Sequence, residues 1–132
     1  MATTASELVS QAKAQVENLT PEQVVEEIAG GALAVDLREP VKLANDGMIE
    51  DAVHAPRGML EFWADPSSPY HRPEFDLRRR TVLYCASGGR SSLAAVTLAQ
   101  LGYTDVAHLD GGIKGWLQAG CPVVKPNNGS RP

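Results

Sequence analysis

Cysteine is scarce in this chain. There are two among 132 residues, Cys85 and Cys121, too few for a disulfide framework. Neither lies in a CxxC or Cys/His spacing, and the three histidines (His54, His71 and His108) stand far apart, so no metal site is expected. Positive charge is also in short supply. A net charge of -4 argues against a nucleic-acid partner, and the one dense basic cluster, Arg78-Arg79-Arg80, precedes a predicted strand, where a solvated loop is expected. No apolar run approaches the length of a membrane span, so no membrane partner is expected. The opening "MATTASELVSQAKAQ" lacks a basic segment followed by an apolar one, so no secretory leader is expected. There is no internal repeat and no long linker. What remains is one domain of ordinary size, 43% apolar and 21% charged, expected in the cytoplasm with reduced thiols.

Periodicity supplies the elements. Leu8, Val9, Ala12 and Val16 fall at helical spacing, which predicts an N-terminal helical extension over residues 1–15. A short strand is expected at Val16 to Leu19. Thr20-Pro21-Glu22-Gln23 then reads as N-cap, first helical proline and capping-box glutamine, with Gly30-Gly31 as the stop. "ALAVDL" is nearly all apolar, as strands buried on both faces of a parallel sheet are. "AVHAP" is a further short strand, "GMLEFWA" a short helix, and "DPSSPYHRPEFDLRRR" a loop. "TVLYC", a helix from about Arg90 to Leu101, the strand "VAHL" and the helix "IKGWLQAG" complete the series, and residues 125–132 are expected to form a flexible tail. This alternation predicts an α/β fold, a central, mainly parallel sheet of about five short strands with helices on both faces. Ligands of such folds gather beyond the carboxyl ends of the strands.

One strand end carries distinctive chemistry. In "CASGGRSS" the small residues Ala86, Ser87, Gly88 and Gly89 let the backbone wrap tightly between strand and helix, so that successive N–H groups can converge on an anion. The helix that follows adds its positive end. Cys85 would sit at the rim of that cup, and Arg90 would add a fixed charge. A thiol of pKa about 8.5 is ~3% thiolate at pH 7, whereas one at about 6.5 is ~75% thiolate. Cys85 is therefore the expected nucleophile, with Ala86, Ser87, Gly88, Gly89, Arg90 and Ser91 as the anion-binding loop.

"CASGGRSS" resembles the active-site loop of rhodanese-type sulfurtransferases, in which Cys and Arg bracket four residues. "AVDLREP" is similar to that family's Asp-x-Arg-Glu strand end. "GMIEDAVHAPRG" and "LDGGIKGWLQAGCPV" resemble its Gly-His-Ile-x-Gly-Ala and Gly-Gly-x-x-x-Trp segments, in the same order, over about residues 16–124. Two positions depart from the pattern: Met48 stands where the family usually has His, and Asp51 where it usually has Gly.

The resemblance implies a rhodanese-like domain that carries sulfane sulfur as a Cys85 persulfide, from thiosulfate or a small persulfide to a thiol, to cyanide or to a protein acceptor. No metal or organic cofactor is implied. It also implies that Asp36 and Arg38 support the loop as an ion pair. Phe62 and Trp63 are expected either to wall the substrate pocket or to pack in the core, and Trp116 and Cys121 to pack. His108 and Asp110 are given no catalytic role. Two other functions stay open: a non-catalytic binding module of the same fold, and a cysteine-dependent phosphatase or arsenate reductase. Enzymes of the latter kind have five residues between Cys and Arg, against four here.

Overall fold

In the computed structural model, which describes residues 2–126, two capping boxes set the first two helices. Thr4 Oγ1 accepts the Glu7 N–H and the Glu7 carboxylate accepts the Thr4 N–H, opening α1 (Ala5–Gln15). Thr20 and Gln23 make the same exchange at the head of α2 (Pro21–Ala29), where Pro21 takes the first position because its missing N–H is not needed there.

Five short strands form the sheet: β1 (Glu17–Leu19), β2 (Leu33–Asp36), β3 (Val53–His54), β4 (Thr81–Tyr84) and β5 (Val106–Leu109), of which β2, β4 and β5 fall on the apolar runs. All pairings are parallel, in the order β1-β5-β4-β2-β3. The remaining helices are α3 (Pro40–Asp46), α4 (Leu60–Ala64, entered through a 3₁₀ turn at Arg57–Met59), α5 (Gly89–Gln100) and α6 (Gly112–Gln118). α3 is the one element not expected from the sequence. It buries a single apolar side chain, Leu43, and has no side-chain cap, so it leaves no period, and its one start mark is Pro40 at the first helical position.

Alternation along β4 divides the core. Leu83 faces one cluster, with Leu33, Val35, Leu60, Ala94 and Leu98. Val82 and Tyr84 face the other, with Val24, Ala107, Leu109, Ile113 and Trp116. α4 and α5 therefore cover one face and α2 and α6 the other, and β4 is buried on both. α1 packs along α5 with Ala12 buried. Of the tail expected over 125–132, residues 127–132 lie outside the described residues, and Lys125 donates to the Ala44 carbonyl.

Of the basic cluster before β4, Arg78 and Arg79 are exposed, as expected of a solvated loop, and Arg80 departs from it. Arg80 is largely covered and pairs at 2.8–2.9 Å with Glu17, Glu27 and Asp105, tying β1, α2 and the approach to β5 together. Its charge serves the fold.

Candidate active site

β2, β4 and β5 are neighbours and parallel, so their carboxyl ends open at one edge of the sheet. Asp36, Cys85 and Asp110 leave those ends in turn. Cys85 is 1% exposed and lies at the floor of the loop that joins β4 to α5. Its Sγ receives the Gly88 N–H at 3.2 Å and the Ser91 N–H at 3.4 Å, and the Ser91 Oγ lies 3.6 Å away. Burial pushes the thiol up. The Ser91 hydroxyl and the N–H groups of Ser91, Gly88 and Ser87 outweigh that and hold it below the ordinary cysteine value.

The cup keeps its shape because the far side of the loop is pinned. The Ile113 N–H donates to the Cys85 carbonyl at 2.9 Å and the Lys114 N–H to the Ala86 carbonyl at 3.1 Å. With those carbonyls held by the first turn of α6, the loop N–H groups face the sulfur. Two glycines make this approach possible. Gly88, the N-cap of α5, has φ 106, and Gly112 has φ 61 with its Cα turned onto the loop. A Cβ on Gly112 would meet the Ala86 C and O at 2.5 Å, closer than any side chain can stand.

The two cations at the loop are both shared with carboxylates. Arg90, expected beside the thiol, instead reaches Glu39 after β2, with Nη1 2.6 Å from the carboxylate. Lys13, on α1, pairs with Asp110 at 3.0 Å, and its Nζ is 3.7 Å from where a Gly88 Cβ would stand. Both pairs are exposed, so an incoming anion could exchange for the carboxylate at small cost.

Asp36 and Arg38 form the expected pair. Nε and Nη2 of Arg38 grip Asp36 at 3.1 and 2.7 Å, and Nη2 also donates to the Gly47 carbonyl. Both side chains are buried, and the Leu37 N–H donates to the Tyr84 carbonyl directly before Cys85. Trp63 packs against the core under Arg72, whose guanidinium is 3.9 Å from the ring centroid, while Phe62 is exposed. Trp116 is a core residue that donates to the Pro122 carbonyl, and Cys121 packs beside it.

Four residues near the loop had not been singled out for it. Lys13 comes from an N-terminal helix whose proximity no local pattern announces. Asn18 and His108 are register partners on β1 and β5. His108 is buried and joins Ser91 at 2.8 Å and Asn18 at 2.6 Å. Gly112 stood in a recognised Gly-Gly pair, but its contact with Ala86 is tertiary. Among the described residues no group of three metal-ligating side chains occurs, and no helix is long and apolar enough to cross a membrane.

The family model for the rhodanese-like domain matches residues 20–119. A sulfurtransferase of Allochromatium vinosum is 39% identical over 94 residues, 71% of this chain and 79% of that protein. The thiosulfate sulfurtransferase GlpE of Pseudomonas aeruginosa is 33% identical over 76% of this chain and 83% of its own length. Among solved structures, a Rhodopseudomonas palustris protein of unknown function, described as a possible tyrosine phosphatase, superposes with a TM-score of 0.87 at 37% identity, covering 94% of this chain and 96% of its own. The polysulfide-sulfur transferase homodimer of Wolinella succinogenes gives 0.73 at 25% identity, over 93% and 88% of the two chains.

Proposed function

The chain belongs to the rhodanese-like domain family, and from that premise we propose that it is a sulfurtransferase working through a persulfide on Cys85. The donor is thiosulfate or a small persulfide, and the acceptor a thiol, free or on a protein, or cyanide. The Cys85 sulfur attacks the outer sulfur of thiosulfate; the S–S bond of the donor breaks, sulfite leaves, and Cys–S–S⁻ remains. Cyanide or a thiol then takes the outer sulfur and restores the cysteine, a ping-pong cycle that needs no cofactor. The observation that carries this reading is the Cys85 Sγ facing the N–H groups of Gly88 and Ser91. Donors so placed stabilise the thiolate before attack and the persulfide anion after it. Arg90 and Lys13 are the groups to hold the sulfite end of the donor, exchanging Glu39 and Asp110 for it, and Asp36–Arg38 supports the loop. With two free thiols, a reducing compartment such as the cytoplasm suits the protein.

A phosphatase is the second reading, favoured by the description of the Rhodopseudomonas neighbour. Against it stands a loop of four residues between Cys85 and Arg90, one amide fewer to surround a tetrahedral oxyanion. Mass spectrometry decides. Thiosulfate is expected to add one sulfur atom to a Cys121→Ser protein and none to a Cys85→Ser protein. Turnover of an aryl phosphate, lost in Cys85→Ser, without any added sulfur would establish the phosphatase. A protein that shows neither reaction is a binding module.

A further inference from the structure

Behind the Cys85 sulfur runs a chain of hydrogen bonds whose donor directions are fixed from its far end. Asn18 Nδ2 faces two backbone carbonyls, Lys13 O at 2.9 Å and Val16 O at 3.1 Å. Carbonyls only accept, so this atom is the amide nitrogen and Oδ1 is the atom turned to His108 Nε2, 2.6 Å away. His108 Nε2 must then carry a hydrogen. In the neutral ring Nδ1 is consequently a bare acceptor, and it takes the Ser91 hydroxyl proton across 2.8 Å. That leaves a Ser91 lone pair to accept from the Cys85 thiol at 3.6 Å. Thiol, hydroxyl, imidazole and amide are all satisfied, each donating to the next.

The N–H groups of Gly88 and Ser91 stabilise the thiolate, but loss of the thiol proton leaves the side-chain network one hydrogen short. Once the sulfur loses its proton, the single Ser91 hydrogen has two acceptors, the sulfur anion and His108 Nδ1, in a buried setting where an unsatisfied group is costly. The conflict vanishes if His108 gains the proton that the thiol lost. Nδ1–H then donates to Ser91, and Ser91 donates to sulfur.

Resting on the sulfurtransferase reading, we infer that His108 is a positioning residue that accepts the Cys85 proton through Ser91 and holds it while the persulfide exists. The thiol S–H bond breaks as an O–H bond forms on Ser91, and the original Ser91 O–H bond breaks as an N–H bond forms on His108. The sulfur attacks thiosulfate and sulfite departs, leaving Cys–S–S⁻ beside an imidazolium. When cyanide removes the outer sulfur as thiocyanate, the proton returns along the same path to Cys85. Charge and atoms balance at each step, with no outside acid or base. Asn18 fixes the tautomer, and α1 fixes Asn18 through the Lys13 carbonyl.

The surroundings suit a proton held for one intermediate. Burial keeps resting His108 below the ordinary imidazole range, Asp110 pulls it up and Lys13 pushes it down. Once sulfite has left, Asp110 and Lys13 pair with each other again, so in the persulfide the sulfur is the group whose charge has changed.

Nitrogen NMR of histidine-labelled Cys121→Ser protein at about pH 7.5 tests this directly, since the two tautomers and the imidazolium have distinct signatures. The expected result is an Nε2–H tautomer for His108 in the reduced protein and a doubly protonated ring after loading with thiosulfate and removal of sulfite. Stopped-flow loading supplies the second readout. His108→Asn keeps a hydrogen-bond acceptor for Ser91 but cannot take a proton, so its rate is expected to rise about tenfold per pH unit below the thiol pKa while wild type stays nearly flat. A persulfide that forms beside a still-neutral His108, or a His108→Asn rate that matches wild type in size and slope, overturns the relay alone. No added sulfur in the wild-type protein overturns the sulfurtransferase reading and the relay with it. The NMR measurement leaves His108 in place, so it stands even if His108→Asn does not fold.

Discussion

Gly112→Ala should separate the loop's shape from the loop's residues, because the substitution replaces neither the cysteine nor any anion-binding side chain. At φ 61 an alanine is in the left-handed region, which costs about 1–2 kcal/mol. Its Cβ would also stand 2.5 Å from the Ala86 C and O and 2.6 Å from the Cys85 O, all backbone atoms that cannot rotate aside. The first turn of α6 must therefore withdraw, and the bonds from Ile113 and Lys114 to those carbonyls go with it, at about 0.5–1.5 kcal/mol each. The expected loss of stability is about 2–5 kcal/mol, read from urea unfolding. Gly120→Ala is the control. Gly120 has φ 79 but nothing within 4 Å, so the backbone term alone remains, about 1–2 kcal/mol. In Gly112→Ala protein that is still folded, persulfide loading should fall at least about tenfold, since freed carbonyls no longer hold the N–H groups on the sulfur. Equal losses in the two variants, with loading intact in both, would refute the claim that α6 moulds the cup.

Three further outcomes are expected. Asp36→Ala strands the buried Arg38 guanidinium and should cost about 3–5 kcal/mol in urea unfolding; a change below about 1 kcal/mol would mean the pair contributes little. Asp51, the single non-glycine at positive φ among the described residues, has φ 66, so Asp51→Gly should be neutral or stabilising by up to about 1 kcal/mol despite glycine's greater freedom when unfolded. Lys13→Ala should raise the KM for thiosulfate about two- to fivefold with kcat nearly unchanged, and added salt should shrink the difference; a kcat effect alone would remove Lys13 from donor binding.

The sequence by itself determined what is local. Two capping boxes, the strand–turn–helix around Cys85 and the spacing of Asp36 and Arg38 each act within a few residues, where residue type dictates backbone geometry. Apolar runs announced β2, β4 and β5 for the same reason, and the motif order announced the family. The tertiary structure alone decided which partners the site acquired. Arg90 was legible as a cation near the thiol, but its pairing with Glu39 depends on where β2 ends beside β4. His108 read as one more strand residue until parallel pairing set it beside Asn18 and α5 brought Ser91 to its other nitrogen. Gly112 read as part of a turn until α6 met the Cys85 loop. A hydrophobic period states which face of an element is buried. It does not state the register or the neighbour, and those fix what a buried histidine can touch.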